Sequence, residues 1–294
     1  MKKLRGIIPP LTTPFDENEN IDEHALRAEV RYMIDQAHVS GIVVGGSTGE
    51  GHTLSTEELR RLAAVAAEEA AGRVAVLVGI IVDSTRQAIE RARAVADLPV
   101  AALQITPVHY LFKPDDEMML RHFAAVADAV GVPVMVNNVV PGSDCSPGLL
   151  TRIVTEVEGV IGVKQSAGDL KLLADLLLQL EGRGIVMSAV DALLYPSFAL
   201  GADGAIAAIL TAVPKLARQL WEAVEKGDHA TALDCHQRLL RIWNAIQGDN
   251  LPANVKAAME LQGRPAGYPR SPMPRSSPAR VAAIRAALAQ AGIL

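Results

Sequence analysis

One lysine stands at the end of an otherwise apolar stretch of this sequence. Residues 159–163 are small or apolar, Lys164 follows them, and a turn signal comes shortly afterwards. An apolar setting removes hydration from an amine, which disfavours the charged form and lowers its pKa. The neutral amine can then attack a carbonyl group and form a Schiff base. The alternative is a lysine that pairs with a carboxylate at the rim of the fold.

A glycine-rich stretch, GGSTGEGHTLS at residues 45–55, provides a second candidate site. Its centre consists of Gly46, Ser47, Thr48 and Gly49. Glycines let the backbone approach a ligand closely, and successive N–H groups in a turn form a pocket for a small anion. The stretch lacks the lysine of a P-loop, so a nucleoside triphosphate is not predicted. Together with Lys164 it predicts a site for a 2-oxo acid, with the carboxylate on Ser47 and Thr48 and the carbonyl carbon on the lysine.

Short apolar segments alternate with alanine- and leucine-rich helical stretches along the chain. Eight strands are predicted, at residues 6–11, 41–45, 74–80, 100–105, 132–136, 160–164, 185–188 and 204–208. They are apolar throughout, as expected for parallel strands that are covered on both faces. Repeated strand–helix units predict a (β/α)8 TIM barrel of about 250 residues, in which the strand ends face the active site. A doubly wound sheet is the alternative, but the sequence contains no dinucleotide-binding loop.

The helical stretches after the last strand predict an extension beyond the barrel. Residues 1–215 are assigned to the barrel and residues 216–294 to a C-terminal helical extension packed on it, with helices at 214–225, 229–246, 253–261 and 278–290.

The net charge of −5 is spread along the chain, which argues against nucleic acid or a membrane surface as a partner. Cys145 and Cys235 have no metal or redox spacing. A reduced, cytoplasmic protein of enzyme size is therefore expected.

Several motifs together resemble the dihydrodipicolinate synthase / N-acetylneuraminate lyase family. They are Gly46–Glu50 with Leu54-Ser55, Gly162–Asp169, Gly201–Ile206, Pro10–Phe15 and Thr106-Pro107. Their order and spacing agree with the family along nearly the whole chain. The resemblance implies a TIM-barrel Schiff-base lyase or aldolase that acts on pyruvate-type substrates, usually as a homotetramer, without a metal or organic cofactor. It also implies that Lys164 forms the imine, that the Ser47-Thr48 turn binds the carboxylate, and that the Ile206 backbone lines the pocket.

The sequence departs from the family pattern at the catalytic tyrosine. The family carries a Tyr-Asn-hydrophobic-Pro motif at the end of strand five, whereas residues 136–142 read VNNVVPG and place Asn137 where the tyrosine would be. By resemblance, the phenol relays protons through the hydroxyl at the position of Ser47. An asparagine amide can bind an oxygen or orient a water molecule, but it has no proton that titrates near neutrality. Because general acid–base catalysis contributes about 10²–10⁴-fold, another group is expected to replace the phenol.

Two replacement candidates lie in the loop after strand four. His109 titrates near neutrality, and Tyr110 carries a phenol of the kind that reaches a neighbouring subunit in related enzymes. The alternative for both residues is packing at a subunit contact.

The residues expected to recognise a second substrate differ as well. The arginine that the synthase places after its Tyr-Asn motif has no counterpart at residues 141–144. Of the acidic pair that the sialic-acid lyase carries after strand seven, only Asp191 is present. Asp191 is predicted to bind a substrate hydroxyl or to cap a helix. Ser166 is predicted to face the substrate or to be solvated at the strand end.

These observations predict a lyase or aldolase of the Schiff-base type, with a 2-oxo acid such as pyruvate, and in one direction an aldehyde, as its small-molecule partners. Neither dihydrodipicolinate synthesis nor N-acetylneuraminate cleavage is the expected reaction. Two alternatives remain open. One is a dehydratase or deaminase acting on a sugar acid or a hydroxyproline-derived 2-oxo acid, and the other is a homologue that binds 2-oxo acids without turnover.

Overall fold

The computed structural model describes residues 4–108, 112–139, 144–166 and 169–294. Its eight parallel strands are β1 (Gly6–Ile7), β2 (Gly41–Val44), β3 (Ala75–Ile80), β4 (Ala102–Ile105), β5 (Val134–Asn138), β6 (Val160–Gln165), β7 (Ile185–Ser188) and β8 (Gly204–Ala205). The strands are ordered β1-β8-β7-β6-β5-β4-β3-β2 within one sheet. The strand count, the parallel pairing and the helices between strands confirm the predicted TIM barrel.

The barrel closes between β1 and β2 through the residues that follow β1. The Leu11 N–H donates to the Val43 carbonyl at 2.8 Å, and the Val43 N–H donates to the Pro9 carbonyl at 2.9 Å. The predicted extent of β1, residues 6–11, is too long, since Pro9 and Pro10 have no N–H to give to a strand ladder. The predicted extent of β8, residues 204–208, is also too long, because a short helix begins at Ala208.

Both faces of the strands are buried, as the continuous apolar runs predicted. Along β2, Val43 belongs to a cluster inside the barrel that includes Ile8, Leu77 and Met187. The residues on either side of it, Ile42 and Val44, belong to the larger cluster between the strands and the surrounding helices. Successive strand residues point to opposite faces, so this alternation places one layer of the core within the barrel and one outside it.

The helices are α1 (Glu23–Arg31), α2 (Thr56–Ala70), α3 (Thr85–Val95), α4 (Asp116–Ala129), α5 (Pro147–Glu156), α6 (Leu170–Leu180), α7 (Leu194–Ala199), α8 (Ala208–Ala212), α9 (Pro214–Glu225), α10 (His229–Ile246), α11 (Leu251–Leu261) and α12 (Pro278–Gln290). A π-helical turn, Tyr32–Gln36, extends α1. None of the helices in the described part of the chain combines the length and the apolar character that a bilayer crossing requires.

The last four helices lie where the sequence predicted them and are joined to the barrel by buried ion pairs. Lys256 on α11 pairs with Glu50 at 2.7 Å, and Arg264 pairs with Glu29 on α1 at 2.9 Å. Helix α11 also contacts α8, which follows the last strand of the barrel. The C-terminal segment is thus anchored to the turn after β2 and to helices α1 and α8, while the division of the chain at residue 215 stays a prediction.

Candidate active site

Strand β6 holds Lys164 within the barrel. In the sheet register, Lys164 lies between Asn137 on β5 and Met187 on β7. The lysine is only 8% exposed, and its Nζ donates a hydrogen bond to Asn137 Oδ1 at 3.0 Å. The residue at the tyrosine position of the family is therefore in direct contact with the predicted nucleophile.

Burial changes the acid–base properties of this lysine. Desolvation lowers the pKa of the Lys164 amine to about 8, although the nearby Asp191 carboxylate acts in the opposite direction. About half of the amine is neutral when the pH equals the pKa, so the nucleophilic form is well populated in mildly alkaline solution. This is the electrostatic setting that the apolar strand predicted.

The side chain of Asn138, on the opposite face of β5 from Asn137, forms hydrogen bonds to β6 and to the segment before α5. Its Nδ2 donates to Gln165 Oε1 at 2.9 Å and to the Cys145 carbonyl at 3.1 Å, and its Oδ1 accepts from the Cys145 N–H at 2.8 Å. Strand geometry sends successive side chains to opposite faces, so Asn137 meets the lysine while Asn138 fixes β5, β6 and the segment before α5. The sequence analysis predicts no role for Asn138, although two adjacent asparagines at a strand end are a visible signal.

The glycine-rich stretch after β2 forms a tight turn. The N–H groups of Gly49 and Gly51 both donate to the Gly46 carbonyl at 3.0 Å, and Thr13 Oγ1 donates to the Gly49 carbonyl at 2.6 Å. Within the described residues, neither the N–H groups nor the hydroxyls of Ser47 and Thr48 donate to a protein acceptor. These donors suit the oxygen atoms of a small anion.

The residue after this turn anchors it to the C-terminal helices. Glu50 has a left-handed backbone with φ of 55° and is 2% exposed. Its Oε1 accepts from Lys256 Nζ at 2.7 Å, and its Oε2 accepts from the Arg270 N–H at 2.9 Å. The Glu50 carboxylate therefore links the predicted anion-binding turn to segments roughly 200 residues later. Nothing in the local sequence indicated this link.

A cavity of about 300 Å³ brings the predicted residues together. It is lined by Pro10, Ser47, Thr48, Val139, Lys164, Ser166, Ala189, Asp191, Ile206, Ala207, Ala208, Leu251 and Pro252. Gly46 and Gly49 lie in the turn rather than on the cavity wall. The Ser166 Oγ is buried without a hydrogen-bond partner within the described residues. Leu251 and Pro252, at the start of α11, form a part of the wall that the sequence does not predict.

Asp191 is not, as was predicted, the N-cap of the helix that follows it, because the residue before α7 is Leu193. It binds the start of a more distant helix instead. Its Oδ1 accepts from the Ile209 N–H at 2.7 Å at the beginning of α8, so the side chain caps a helix. The residue also lines the cavity. Burial raises the pKa of the Asp191 carboxyl to about 6, while the Ile209 N–H and the Lys164 amine act to lower it. Its predicted contact with a substrate hydroxyl stays a prediction.

Two predicted residues, His109 and Tyr110, lie outside the described residues, as do residues 141–143 near the position of the missing arginine. Their predicted roles as an acid–base group, a subunit contact and a specificity difference stay predictions.

Similarity to known proteins extends over nearly the whole chain. The profile of the Dihydrodipicolinate synthetase family matches residues 3–291. The 4-hydroxy-tetrahydrodipicolinate synthase of Methanopyrus kandleri is 33% identical over 295 residues, which cover 99% of this chain and 98% of the relative. The chain belongs to the dihydrodipicolinate synthetase family. The resemblance seen in the sequence motifs is thereby confirmed, and enzymes of this family are lyases of the class I aldolase type.

Solved structures of this family have the same fold. YagE, a prophage protein of the dihydrodipicolinic acid synthase family from E. coli K12, was solved in complex with pyruvate. It superposes with a TM-score of 0.94 at 28% identity, over 99% of this chain and 100% of YagE. The chloride-inhibited dihydrodipicolinate synthase from Acinetobacter baumannii, complexed with pyruvate, has a TM-score of 0.93 at 29% identity, over 99% of this chain and 100% of that protein.

Proposed function

We propose that this member of the family forms a Schiff base between Lys164 and a 2-oxo acid such as pyruvate, and that it acts as a lyase or aldolase. The observation that carries the proposal is the buried Lys164 amine, whose pKa is lowered to about 8, on the wall of the cavity that also contains Ser47 and Thr48. Two members of the family were solved with pyruvate bound, which supports the same class of ligand here.

The geometry suits a defined sequence of steps. The N–H groups and hydroxyls of Ser47 and Thr48 receive the substrate carboxylate, which directs the C2 carbonyl towards Lys164. The neutral amine adds to C2, and uptake of one proton from solvent with loss of water leaves a protonated imine. In the cleavage direction, the C3–C4 bond breaks and its electron pair moves into a C2=C3 bond, with the imine nitrogen accepting the displaced pair. The substrate for this direction is a 4-hydroxy-2-oxo acid, whose C4 hydroxyl gives its proton to water or a basic side chain while the O–H electron pair forms the C4=O bond. The fragment that carries C4 therefore leaves as an aldehyde.

Asn137 supports the proposal that the reaction differs from that of the two enzymes that give the wider family its name. Its amide oxygen accepts a hydrogen bond from Lys164 Nζ at 3.0 Å, so it can hold the amine in position. It supplies no phenolic proton for the relay. In addition, Ala192 follows Asp191, which removes one of the sugar-binding carboxylates. We therefore propose a 2-oxo acid substrate other than those of dihydrodipicolinate synthase and N-acetylneuraminate lyase, although relatives at 33% identity carry the synthase name.

The same asparagine favours one further candidate function, a homologue that captures 2-oxo acids without turning them over. Both candidates form the imine on Lys164, but only the lyase converts the imine into products. On the basis of family membership we also propose that the protein is a homotetramer in the cytoplasm.

Reduction with borohydride in the presence of pyruvate tests the proposal. We expect a reduced pyruvate adduct on Lys164, located by peptide mass mapping, and none in Lys164→Arg. Lys256 is an internal control, since it is also buried and has a lowered pKa but pairs with Glu50. An adduct spread over several lysines, or no adduct with pyruvate or longer 2-oxo acids, would refute the proposal. Where the adduct forms, product release from a panel of 2-oxo acids distinguishes the lyase from the non-catalytic homologue.

A further inference from the structure

We infer that Asp191 is the catalytic acid–base residue of this site, and that it transfers the C3 proton of the imine, which Asn137 cannot do. The inference rests on the proposed function, because it requires the imine on Lys164. It assigns a role in proton transfer to a side chain whose residue type and position in the sequence predict only substrate binding or helix capping.

The composition of the cavity wall carries the inference. Of its described lining residues, Lys164 and Asp191 are the two that titrate within reach of neutral pH. The remaining polar side chains on the wall are the hydroxyls of Ser47, Thr48 and Ser166, which stay protonated in this range. Once the lysine is bound in the imine, the carboxyl of Asp191 is the described group on the wall that can both accept and return a proton.

The position of Asp191 suits this role. It follows β7, the strand next to Lys164 in the barrel. Each of the two groups shifts the pKa of the other, yet they form no ion pair within the part of the chain that the structure describes. The carboxyl is thus near the lysine without neutralising it. Both residues line the same cavity of about 300 Å³.

The side chain is held in place by its surroundings. The Ile209 N–H binds Oδ1 at 2.7 Å, which fixes the orientation of the carboxyl. Helices α7 and α10 contact the turn that contains Asp191, and their nearby titratable groups, Tyr195 and His229, hydrogen-bond to each other at 3.0 Å. Lys164 is consequently the charged side chain that acts on Asp191 among the described residues.

The chemistry of the step follows from the orientation of the substrate. The three substituents of C2 lie in one plane, so with the nitrogen at Lys164 and the carboxylate at Ser47 and Thr48, C3 points into the rest of the cavity. The Asp191 carboxylate takes a proton from C3, and the C–H electron pair forms the C2=C3 bond. The C2=N pair moves to nitrogen, which gives a neutral enamine and a protonated Asp191. In the reverse direction, the carboxylic acid returns this proton to C3.

Burial brings the pKa of the Asp191 carboxyl closer to neutral pH. Its pKa is raised to about 6, so the group is mainly a carboxylate at neutral pH and a stronger base than an exposed aspartate. General bases are most effective when their pKa lies near the working pH.

Exchange of the C3 protons of pyruvate with D₂O, followed by proton NMR, tests the inference with pyruvate alone. We expect exchange with the unaltered protein. In Asp191→Asn we expect the exchange rate to fall by a factor of at least about 100, while borohydride trapping on Lys164 is retained. Asparagine preserves the acceptor for the Ile209 N–H, so the helix cap should remain. Asp191→Glu should restore part of the exchange, since it keeps a carboxyl.

The matched control is Asp234→Asn on α10, whose side chain is 65% exposed. It should exchange pyruvate protons at the rate of the unaltered protein. Retention of at least a third of the exchange rate in Asp191→Asn would overturn the inference. Loss of exchange in His109→Gln or Tyr110→Phe, with exchange in Asp191→Asn unaffected, would overturn it as well and assign the proton transfer to that residue. Absence of any adduct in the unaltered protein would instead show that the proposed function itself is wrong.

A pH profile of the unaltered protein needs no variant and provides a second test. The exchange rate should fall as the pH drops through about 6, where the Asp191 carboxylate becomes protonated. When the pH is instead increased from neutral, the exchange rate should rise through about pH 8, because free Lys164 becomes neutral and forms the imine more rapidly. In Asp191→Asn the lower step should be absent and the upper step retained. A profile without the lower step in the unaltered protein would refute the inference.

Discussion

Replacement of Lys256 by methionine isolates the ion pair that anchors the anion-binding turn. Lys256 and Glu50 have side-chain exposures of 3% each, and their charged atoms are 2.7 Å apart. Methionine is similar in length but leaves the Glu50 carboxylate without its cation. Removal of one partner from a buried ion pair destabilises a protein by about 3–5 kcal/mol, because the other charge stays buried.

The remaining contacts set the expected value within that range. Glu50 Oε2 keeps the N–H of Arg270, whereas the Tyr268 carbonyl loses the bond that it accepts from Lys256 at 2.6 Å. The retained partner argues for the lower end, and we expect Lys256→Met to lower the free energy of unfolding by about 3 kcal/mol. Equilibrium unfolding in urea, followed by the fluorescence of Trp221 and Trp243, measures this quantity.

Two controls make the result specific to the buried charge. The same substitution at Lys171, whose ion pair with Asp175 is exposed, should lower the free energy of unfolding by less than about 0.5 kcal/mol. The double variant Glu50→Gln/Lys256→Met removes both charges and should be less destabilised than the sum of the single variants. A loss below about 1 kcal/mol in Lys256→Met, or additive effects in the double variant, would refute the reasoning.

Three further predictions concern the site itself. The initial rate of borohydride trapping with pyruvate should rise roughly tenfold between pH 7 and pH 9, because the neutral fraction of Lys164 increases through its pKa of about 8; a flat profile would contradict this. Asn137→Ala removes the acceptor at 3.0 Å from Lys164 Nζ and should lower the trapping rate roughly 10-fold, whereas Asn137→Asp should restore an acceptor oxygen. Gly79→Ala would place a Cβ 2.7 Å from the Gly45 carbonyl and the Gly46 nitrogen, so it should raise the pyruvate concentration that half-saturates trapping; unchanged saturation would show that the turn can move aside.

The sequence predicted those features that depend on contiguous residues. Five apolar positions before Lys164 indicated a buried strand, and the structure places that strand as β6 with the lysine almost fully buried. The turn at Ser47 and Thr48 was predicted for a similar reason, since its glycines and hydroxyls are adjacent in the chain. Burial of an amine also determines the direction in which its pKa moves, so that direction followed from the strand assignment.

Features formed by distant residues could not be predicted in this way. The pairing of Glu50 with Lys256 joins residues that are far apart in the chain, and neither residue type is unusual at its position. Leu251 and Pro252 belong to a helix whose bounds were nearly correct, yet which residues face the cavity depends on how α11 crosses the barrel. The extents of β1 and β8 were overestimated because apolar residues continue beyond the point where the ladder ends.

The place of α11 in the chain has a consequence for biosynthesis. The strands that carry Ser47 and Lys164 leave the ribosome long before Lys256, which pairs with Glu50 and so steadies the turn beside Ser47. Leu251 and Pro252, which complete the cavity wall, are also made late. A nascent barrel therefore presents its reactive amine in an unfinished pocket, and the ability to capture a 2-oxo acid should arise only as the final helices dock.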